Sequence, residues 1–362
     1  MFRIKILDWY IFKKFITVTF YVILILNTVV CVIDYTEKSD DFLKHETLSY
    51  AEIFGDYYLN FFIFMANTLS PIAVFISVVF VTAKMASHSE IIAMRSAGVS
   101  LLRMMAPYMV GAICLGVASF FLVGWIIPNS SKIRLAFQIK YLKNDFYYSE
   151  TDIHFKTDDS TYVYMRRYDN RRDVGSDFTV EKVIDGEMKY KLKARQIQWD
   201  TTQNLWHLGR YSVHTFDGEK ESIWEGHKLD TMFNLYPKYF ESRYKLNERL
   251  TFPELEEFIQ DELTRGAGNV ELYMHEKYER YAYPYAIVIL TFMGVVVSAR
   301  KSRQGTGAQI ALGFFLAFLF LLAVMMSRSI GAAGALDPKI SAWLPNATFF
   351  VIAIIMYYTF PR

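Results

Sequence analysis

Apolar positions along the chain gather into six long runs, at about 13–33, 57–83, 104–127, 281–299, 304–327 and 341–360. A long polar segment separates the third run from the fourth. Lys13 and Lys14 open the first run, and beyond them none of the six contains Asp, Glu, Lys or Arg. Each run has about 20 residues or more, enough for a helix to cross the ~30 Å hydrocarbon layer of a bilayer. Between Pro128 and Tyr244 the pattern changes to period-two alternation, as in 152–156, 161–166, 178–183, 187–192 and 205–208. Alternation of this kind predicts half-buried strands. Turn signals stand between them at Asp158-Asp159-Ser160, Asp185-Gly186, Asp200-Thr201-Thr202 and Asp217-Gly218. The strands predict an antiparallel sandwich, jelly roll or open barrel, three forms the pattern does not separate. Thr251 and Glu254 have capping-box spacing and predict a helix start, followed by a polar helix through Tyr273, His275 and Lys277 into the fourth run.

The expected fold class is therefore α+β: six transmembrane helices with an antiparallel β-domain inserted between helices 3 and 4. The expected boundaries are 1–127, 128–280 and 281–362. The first run starts close to the N-terminus and lacks a small-residue cleavage site, which predicts a retained helix rather than a signal peptide.

Composition averages these two regimes. Of 362 residues, 53% are hydrophobic and 17% aromatic, and the mean hydropathy of +0.16 hides the contrast between runs and insert. A net charge of +2 without a long basic tract argues against a nucleic-acid partner. Cys31 and Cys114 both lie in apolar runs, so no disulfide framework is expected. Charge placement predicts orientation. Arg3, Lys5, Lys13, Lys14, Lys84, Arg95, Arg103, Arg300, Lys301, Arg303 and Arg362 all fall at one set of run ends. The segment 34–56, at the other set, holds seven carboxylates (Asp34, Glu37, Asp40, Asp41, Glu46, Glu52, Asp56) against Lys38 and Lys44. Both termini are expected in the cytosol and the β-domain outside. Ion-driven carriers keep ionisable groups inside their spans, so runs without charge place the driving force outside the membrane segments.

Motifs of enzymes are missing. There is no Gly-x-x-x-x-Gly-Lys-Ser/Thr loop, no Gly-x-Ser-x-Gly elbow and no His-Glu-x-x-His. The seven histidines are scattered, so neither a metal site nor a cofactor is expected. The informative short segment is 84–103. Ser87 and Glu90 suit a capping box and Gly98 suits a C-terminal stop, predicting a short helix over 87–98 on the cytosolic face. Ile91, Met94 and Arg95 recur on one side of it. Such a stripe with one carboxylate suits docking into a groove of a separate ATPase, the stripe supplying area and the charge fixing register. A capping glutamate on an interfacial helix is the alternative.

The run Ser89-Glu90-Ile91-Ile92-Ala93-Met94-Arg95-Ser96-Ala97-Gly98 resembles the corresponding loop of the LptF/LptG family, the paired membrane subunits of the lipopolysaccharide-export ABC transporter. Weaker resemblances follow in order at Val32-Ile33-Asp34-Tyr35, Ser70-Pro71-Ile72-Ala73, Glu271 to Lys277 before Pro284, and Trp343-Leu344-Pro345-Asn346-Ala347. The acidic stretch from Asp34 looks more like LptG than LptF. The resemblance implies a non-catalytic permease subunit in the inner membrane of a diderm bacterium, with a periplasmic jelly-roll-like domain. It implies an LptB-like ATPase dimer coupled through Ser89, Glu90, Ile91, Met94, Arg95 and Gly98, a paralogous six-helix subunit, an LptC-like bridge, and lipopolysaccharide as cargo. Spans one and five would border the lipid entrance. Cations near the external span ends would meet the lipid phosphates, and Lys38, Lys44 and Arg328 are the candidates. The family often carries a lysine in the last external turn of span one, where this chain has Cys31, Val32 and Ile33.

Two other readings stay open on the residues alone. One is a membrane-anchored envelope sensor or scaffold with a periplasmic binding domain, although six spans exceed what an anchor requires. The other is an intramembrane enzyme. Polar groups in the runs, such as Asn27 and Asn67, more often tie helices together.

Overall fold

The structure is a computed structural model and describes residues 6–45, 48–142, 151–158, 160–218, 220–233, 235–237, 245–265, 270–299 and 306–359. The basic residues Arg3, Lys5, Arg300, Lys301, Arg303 and Arg362 lie outside these. In chain order the helices are α1 (Ile6–Leu43), α2 (Tyr50–Glu52), α3 (Leu59–Thr68), α4 (Ser70–Ser87), α5 (Glu90–Ser96), α6 (Leu101–Phe121), α7 (Ile127–Phe137), α8 (Leu246–Arg249), α9 (Phe252–Arg265), α10 (Val270–Ser298), α11 (Thr306–Ala332) and α12 (Pro338–Thr359). Among the described residues six helical segments are long and apolar enough to cross a membrane, beginning at Ile6, Ser70, Leu101, Val270, Gly307 and Pro338. The chain is a multi-pass membrane protein. It divides into two compact units, one of helices and one holding the β-sheet.

Three expectations about the helices change. Segment 34–43 is helix, because α1 runs unbroken for 38 residues, roughly 57 Å at 1.5 Å per residue. Asp34 and Lys38 pair one turn apart and buried Phe42 packs on Tyr57 and Phe137, which carries the helix past its apolar run. The second run is two helices. Pro71, at the start of α4, has no amide to donate backwards, and Tyr283 Oη fills the gap by donating to the carbonyls of Asn67 at 2.5 Å and Thr68 at 2.8 Å. The third run does not stop at Pro128. It continues through a π-helical turn at 122–126, α7 and a second π-helical turn at 138–142. Beyond Pro128 the buried residues Arg134, Leu135 and Phe137 hold this extension in place.

The core of the helical unit is shared by α4 and α10. One cluster joins Ile11 and Phe15 of α1, Val74 and Val78 of α4, Tyr108 of α6 and Val295 of α10. A second joins Phe75, Leu290, Met293, Phe320 and Phe349. A Cβ at Gly294 would stand 3.1 Å from both Phe75 and Val78, so glycine lets α4 and α10 approach. Burial separates inner from outer spans: 67% of the most apolar window of α4 and 61% of that of α10 are buried, against 11% for α1 and 22% for α11. Polar groups in the spans tie helices together. Asn27 Nδ2 donates to Phe62 O at 2.8 Å, Ser119 Oγ to Asn67 Oδ1 at 2.7 Å and Asn346 Nδ2 to Ala282 O at 2.6 Å.

The second unit contains an antiparallel sheet of eight strands: β1 (Thr151–Lys156), β2 (Thr161–Asp169), β3 (Val174–Ile184), β4 (Glu187–Asp200), β5 (Leu205–Leu208), β6 (Tyr211–Asp217), β7 (Lys220–Gly226) and β8 (Leu229–Thr231). The first four form a meander. The long β4 pairs with β5 near its end and with β6 earlier, β5 continues to β8, and β6 to β7. Alternation sends Val163, Met165, Phe178, Val180, Leu192, Ala194 and Ile197 into one core. Trp206 closes it, fully buried, with its indole N–H donated to Leu235 O at 2.8 Å. The anticipated turns at 158–160 and 200–202 are Asx turns, with Ser160 N donating to Asp158 Oδ1 at 2.9 Å and Thr202 N to Asp200 Oδ1 at 2.8 Å.

Candidate functional site

The short helix α5 follows α4 after only His88 and Ser89. Its boundaries and cap differ from the expected 87–98. Ser87 closes α4 and its hydroxyl bonds back to Lys84 O at 2.8 Å. Ser89 is the N-cap residue, in the left-handed region at φ 59°, and makes no side-chain cap bond. The capping box between Ser87 and Glu90 therefore does not form, because Ser87 is still in α4 and Ser89 takes the N-cap position. The C-terminal stop forms as expected. Gly98 sits at φ +82°, the Val99 amide donates to Met94 O at 3.0 Å and the Gly98 amide to Arg95 O at 3.0 Å. Those two bonds make a Schellman motif, in which glycine avoids the Cβ penalty of the left-handed conformation.

The expected docking stripe splits in two. Ile91 is 3% exposed and Met94 packs beside it against the bundle core, an anchor worth roughly 1.5–3 kcal/mol for a fully buried Ile. Ile92, Ala93, Arg95, Ser96 and Gly98 face outward. The outward face of α5 thus carries Ile92, not Ile91 or Met94, beside Arg95.

Glu90 is tied within the chain. Tyr10 Oη of α1 donates to Glu90 Oε2 at 3.2 Å, and Lys14 Nζ lies 3.6 Å from Glu90 Oε1 and donates to Tyr10 Oη at 2.9 Å. The Glu90 side chain keeps 30% of its surface, so a second partner can still reach it. Nearby, Arg103 at the start of α6 pairs with Asp8 of α1 at 2.5 Å. These contacts fasten α1, α5 and α6 at one end of the bundle. The Glu90 to Lys14 link escaped the sequence reading because the two are far apart in the chain.

At the opposite end the three candidate cations already have acid partners. Lys38 pairs with Asp34 and Tyr57 and lies over the Tyr57 and Phe61 rings, at 4.9 and 5.8 Å from their centroids. Tyr57 Oη also donates to Asp34 Oδ2 at 3.0 Å and Gln138 Nε2 donates to Tyr57 Oη at 3.2 Å. Lys44 pairs with Asp41 at 2.5 Å and is 69% exposed. Arg328 donates to Glu276 Oε2 at 2.8 Å and lies 3.8 Å from Glu279.

Around Arg328 stands an ionic cluster that sequence reasoning missed. Glu276 accepts from Arg280 Nε at 3.1 Å and from Asn247 Nδ2 at 3.0 Å as well. Arg280, almost fully buried, donates onward to Leu250 O at 2.7 Å and Asn247 O at 2.6 Å. Arg134 of α7, also buried, pairs with Glu248 at 2.7 Å and lies 4.3 Å from the Phe64 ring centroid. The signal available was the Glu276 to Arg280 spacing of one helical turn. Among the described residues no group of three or more His, Cys, Asp or Glu could hold a metal ion.

A family model described as lipopolysaccharide export system permease LptF/LptG matches residues 9–359. The chain belongs to the LptF/LptG family. No curated protein gives a significant match. The match spans both units, so the helices and the inserted sheet belong to one family architecture, and the chain is a permease of lipopolysaccharide export. The family model covers LptF and LptG together and does not separate them.

Proposed function

We propose that the chain is one of two paired membrane subunits of an ATP-driven exporter in the inner membrane of a diderm bacterium. It extracts lipopolysaccharide and passes it through the periplasm toward the outer membrane. Both termini and α5 lie in the cytosol, and the sheet lies in the periplasm. An LptB-like ATPase dimer supplies the energy and docks on the outward face of α5, around Ile92, Arg95 and the open side of Glu90. The observation that carries this reading is the build of α5. Ile91 and Met94 anchor it in the bundle, α1 holds Glu90 through Tyr10 and Lys14, and an apolar side chain and a cation remain outside. A push on α5 is thereby passed to α1 and the core.

The paralogous subunit and the lipid meet the weakly covered spans. Phe20, Ile25, Val29 and Val32 of α1 and Phe314, Phe318, Met325 and Met326 of α11 are exposed. A wall of this kind suits acyl chains, and methionine adapts to their variable shape. An LptC-like bridge receives the lipid. Of the three cations, Lys44 and Arg328 are the accessible candidates for its phosphates, whereas Lys38 is enclosed by Asp34 and Tyr57.

Glu90→Ala and Glu90→Lys test the assignment. Both variants are expected to insert normally and to stop delivery of lipopolysaccharide to the cell surface. Full export by both would remove the coupling role. Co-purification of the tagged chain with a soluble ATPase and a second six-span subunit tests the assembly.

A further inference from the structure

The outer face of the β-sheet gathers more cations than acids around one concavity, Lys193, Arg195 and Arg210 against Asp177 and Glu225. In β4, Lys193 and Arg195 alternate with buried Leu192, Ala194 and Ile197, so both point away from the core. The register of β4 on β6 pairs Ala194 with Tyr211 and Lys193 with Ser212. It continues through the Gly209 amide, which donates to Gln196 O at 3.3 Å. Arg195 therefore stands opposite Arg210. On the other side β3 offers Asp177, whose carboxylate bonds Arg166 Nη1 at 3.4 Å. Lys193, Arg195 and Arg210 make no ion pair among the described residues. All three line one concavity of about 380 Å³, together with Asp177, Thr179, Ser212 and Glu225.

Like charges directly opposite on antiparallel strands destabilise the pair. Two guanidinium forks beside a lysine are, however, the donor set that recognises phosphate oxygens. A concavity of this size takes a small molecule rather than a bare ion. We propose that it is a binding site for a phosphate monoester of a sugar. Arg195 and Arg210 grip the phosphate from both sides and Lys193 adds a point charge. The Thr179 and Ser212 hydroxyls and the Glu225 carboxylate meet sugar hydroxyls. The site lies on the face opposite the apolar core and does not rest on the transport reading.

The test uses the full chain in neutral detergent, with glucose 1-phosphate, inorganic phosphate and glucose as probes. Calorimetry is expected to show saturable binding of glucose 1-phosphate, weaker binding of phosphate and none of glucose. Glucose 1-phosphate should also raise the melting temperature, as a ligand of the folded state does. Arg195→Gln with Arg210→Gln should weaken binding at least about tenfold, the loss of charge-assisted bonds, and abolish the thermal shift. Without ligand this double variant should melt no lower than the parent, because the opposed charges are gone. Lys228→Gln, which removes a cation elsewhere on the domain, should bind as the parent does. Unchanged affinity in the double variant, or no saturable binding by the parent chain, overturns the proposal. Vesicles bearing a phosphorylated glycolipid separate the two sources of this chemistry. Tighter binding than the soluble ester assigns a lipid headgroup, and equal or weaker binding assigns a soluble sugar phosphate.

Discussion

Lys14 Nζ of α1 lies 3.6 Å from Glu90 Oε1 of α5, and Tyr10 Oη bridges the two side chains. The one carboxylate on α5 thus has an internal partner as well as an open side. A half-exposed pair of this kind contributes at most about 1 kcal/mol to stability, so its loss cannot unfold the bundle.

That small magnitude makes a charge exchange informative. Glu90→Lys breaks the internal pair and removes any external contact at once. Combining it with Lys14→Glu rebuilds the internal pair with reversed sign. If Glu90 acts by contacting an ATPase, the double variant stays as inactive in lipopolysaccharide export as Glu90→Lys alone, while insertion and melting temperature stay near the parent values. Recovery of export in the double variant would assign Glu90 to internal bracing only.

Tyr283 carries the break between α3 and α4. Its hydroxyl serves the two carbonyls left open beside Pro71. Tyr283→Phe keeps the ring and leaves both carbonyls without that donor, at an expected loss of about 1–3 kcal/mol. Thermal unfolding in detergent reads this directly. A variant melting with the parent would mean that the carbonyls find another donor.

The break itself was not legible in the hydrophobic pattern, because α3 and α4 are equally apolar and periodicity does not register a change of axis. Pro71 was the available sign. The same limit hid the extension of α1 beyond Ile33, which depends on the Asp34 to Lys38 pair and on Phe42 meeting Tyr57 and Phe137. Strands β1 to β5 were readable because one face of each is buried and the side chains alternate. Strand β7 is exposed along nearly its whole length, so no alternation marked it. In the candidate site, Gly98 and Glu90 were readable as helix boundary residues. The inward turn of Ile91 and Met94 was not, since a seven-residue helix shows its apolar residues but not which side meets the bundle.

Glu276 is the shared acceptor of Arg280, Arg328 and Asn247. Removing its charge leaves Arg280, only 4% exposed along its side chain, without an anionic partner. Breaking a buried pair from one side costs about 3–5 kcal/mol. Glu276→Gln is therefore expected to lower stability far more than Arg328→Gln, because Arg328 is 43% exposed and leaves Glu276 still paired. Melting temperatures of the two variants in detergent give the order, and equal losses would show that Arg280 is held by the Asn247 and Leu250 carbonyls alone.

His207 gives the sheet a pH dependence. Its Nδ1 lies 2.6 Å from Asp230 Oδ1 and its Nε2 lies 3.2 Å from Asp200 Oδ2. Asp230 foremost, and then Asp200, raises the imidazole above its ordinary value of 6.5. Bonds from Thr202 foremost, with His207 adding to them, pull Asp200 down to about 2. A raised histidine gives stability that is complete below its unfolded pKa and is lost as pH rises through the folded value. A depressed aspartate gives stability that is present above its unfolded pKa of 3.8 and is lost as pH falls toward about 2. The clamp between β4, β5 and β8 is therefore strongest from about pH 4 to about 6.5 and weakens on the alkaline side. The difference in melting temperature between the parent and His207→Gln should be largest near pH 5.5 and shrink by pH 8.5. A difference that stays constant over that range would mean that His207 holds the sheet through neutral hydrogen bonds, with its charge contributing nothing.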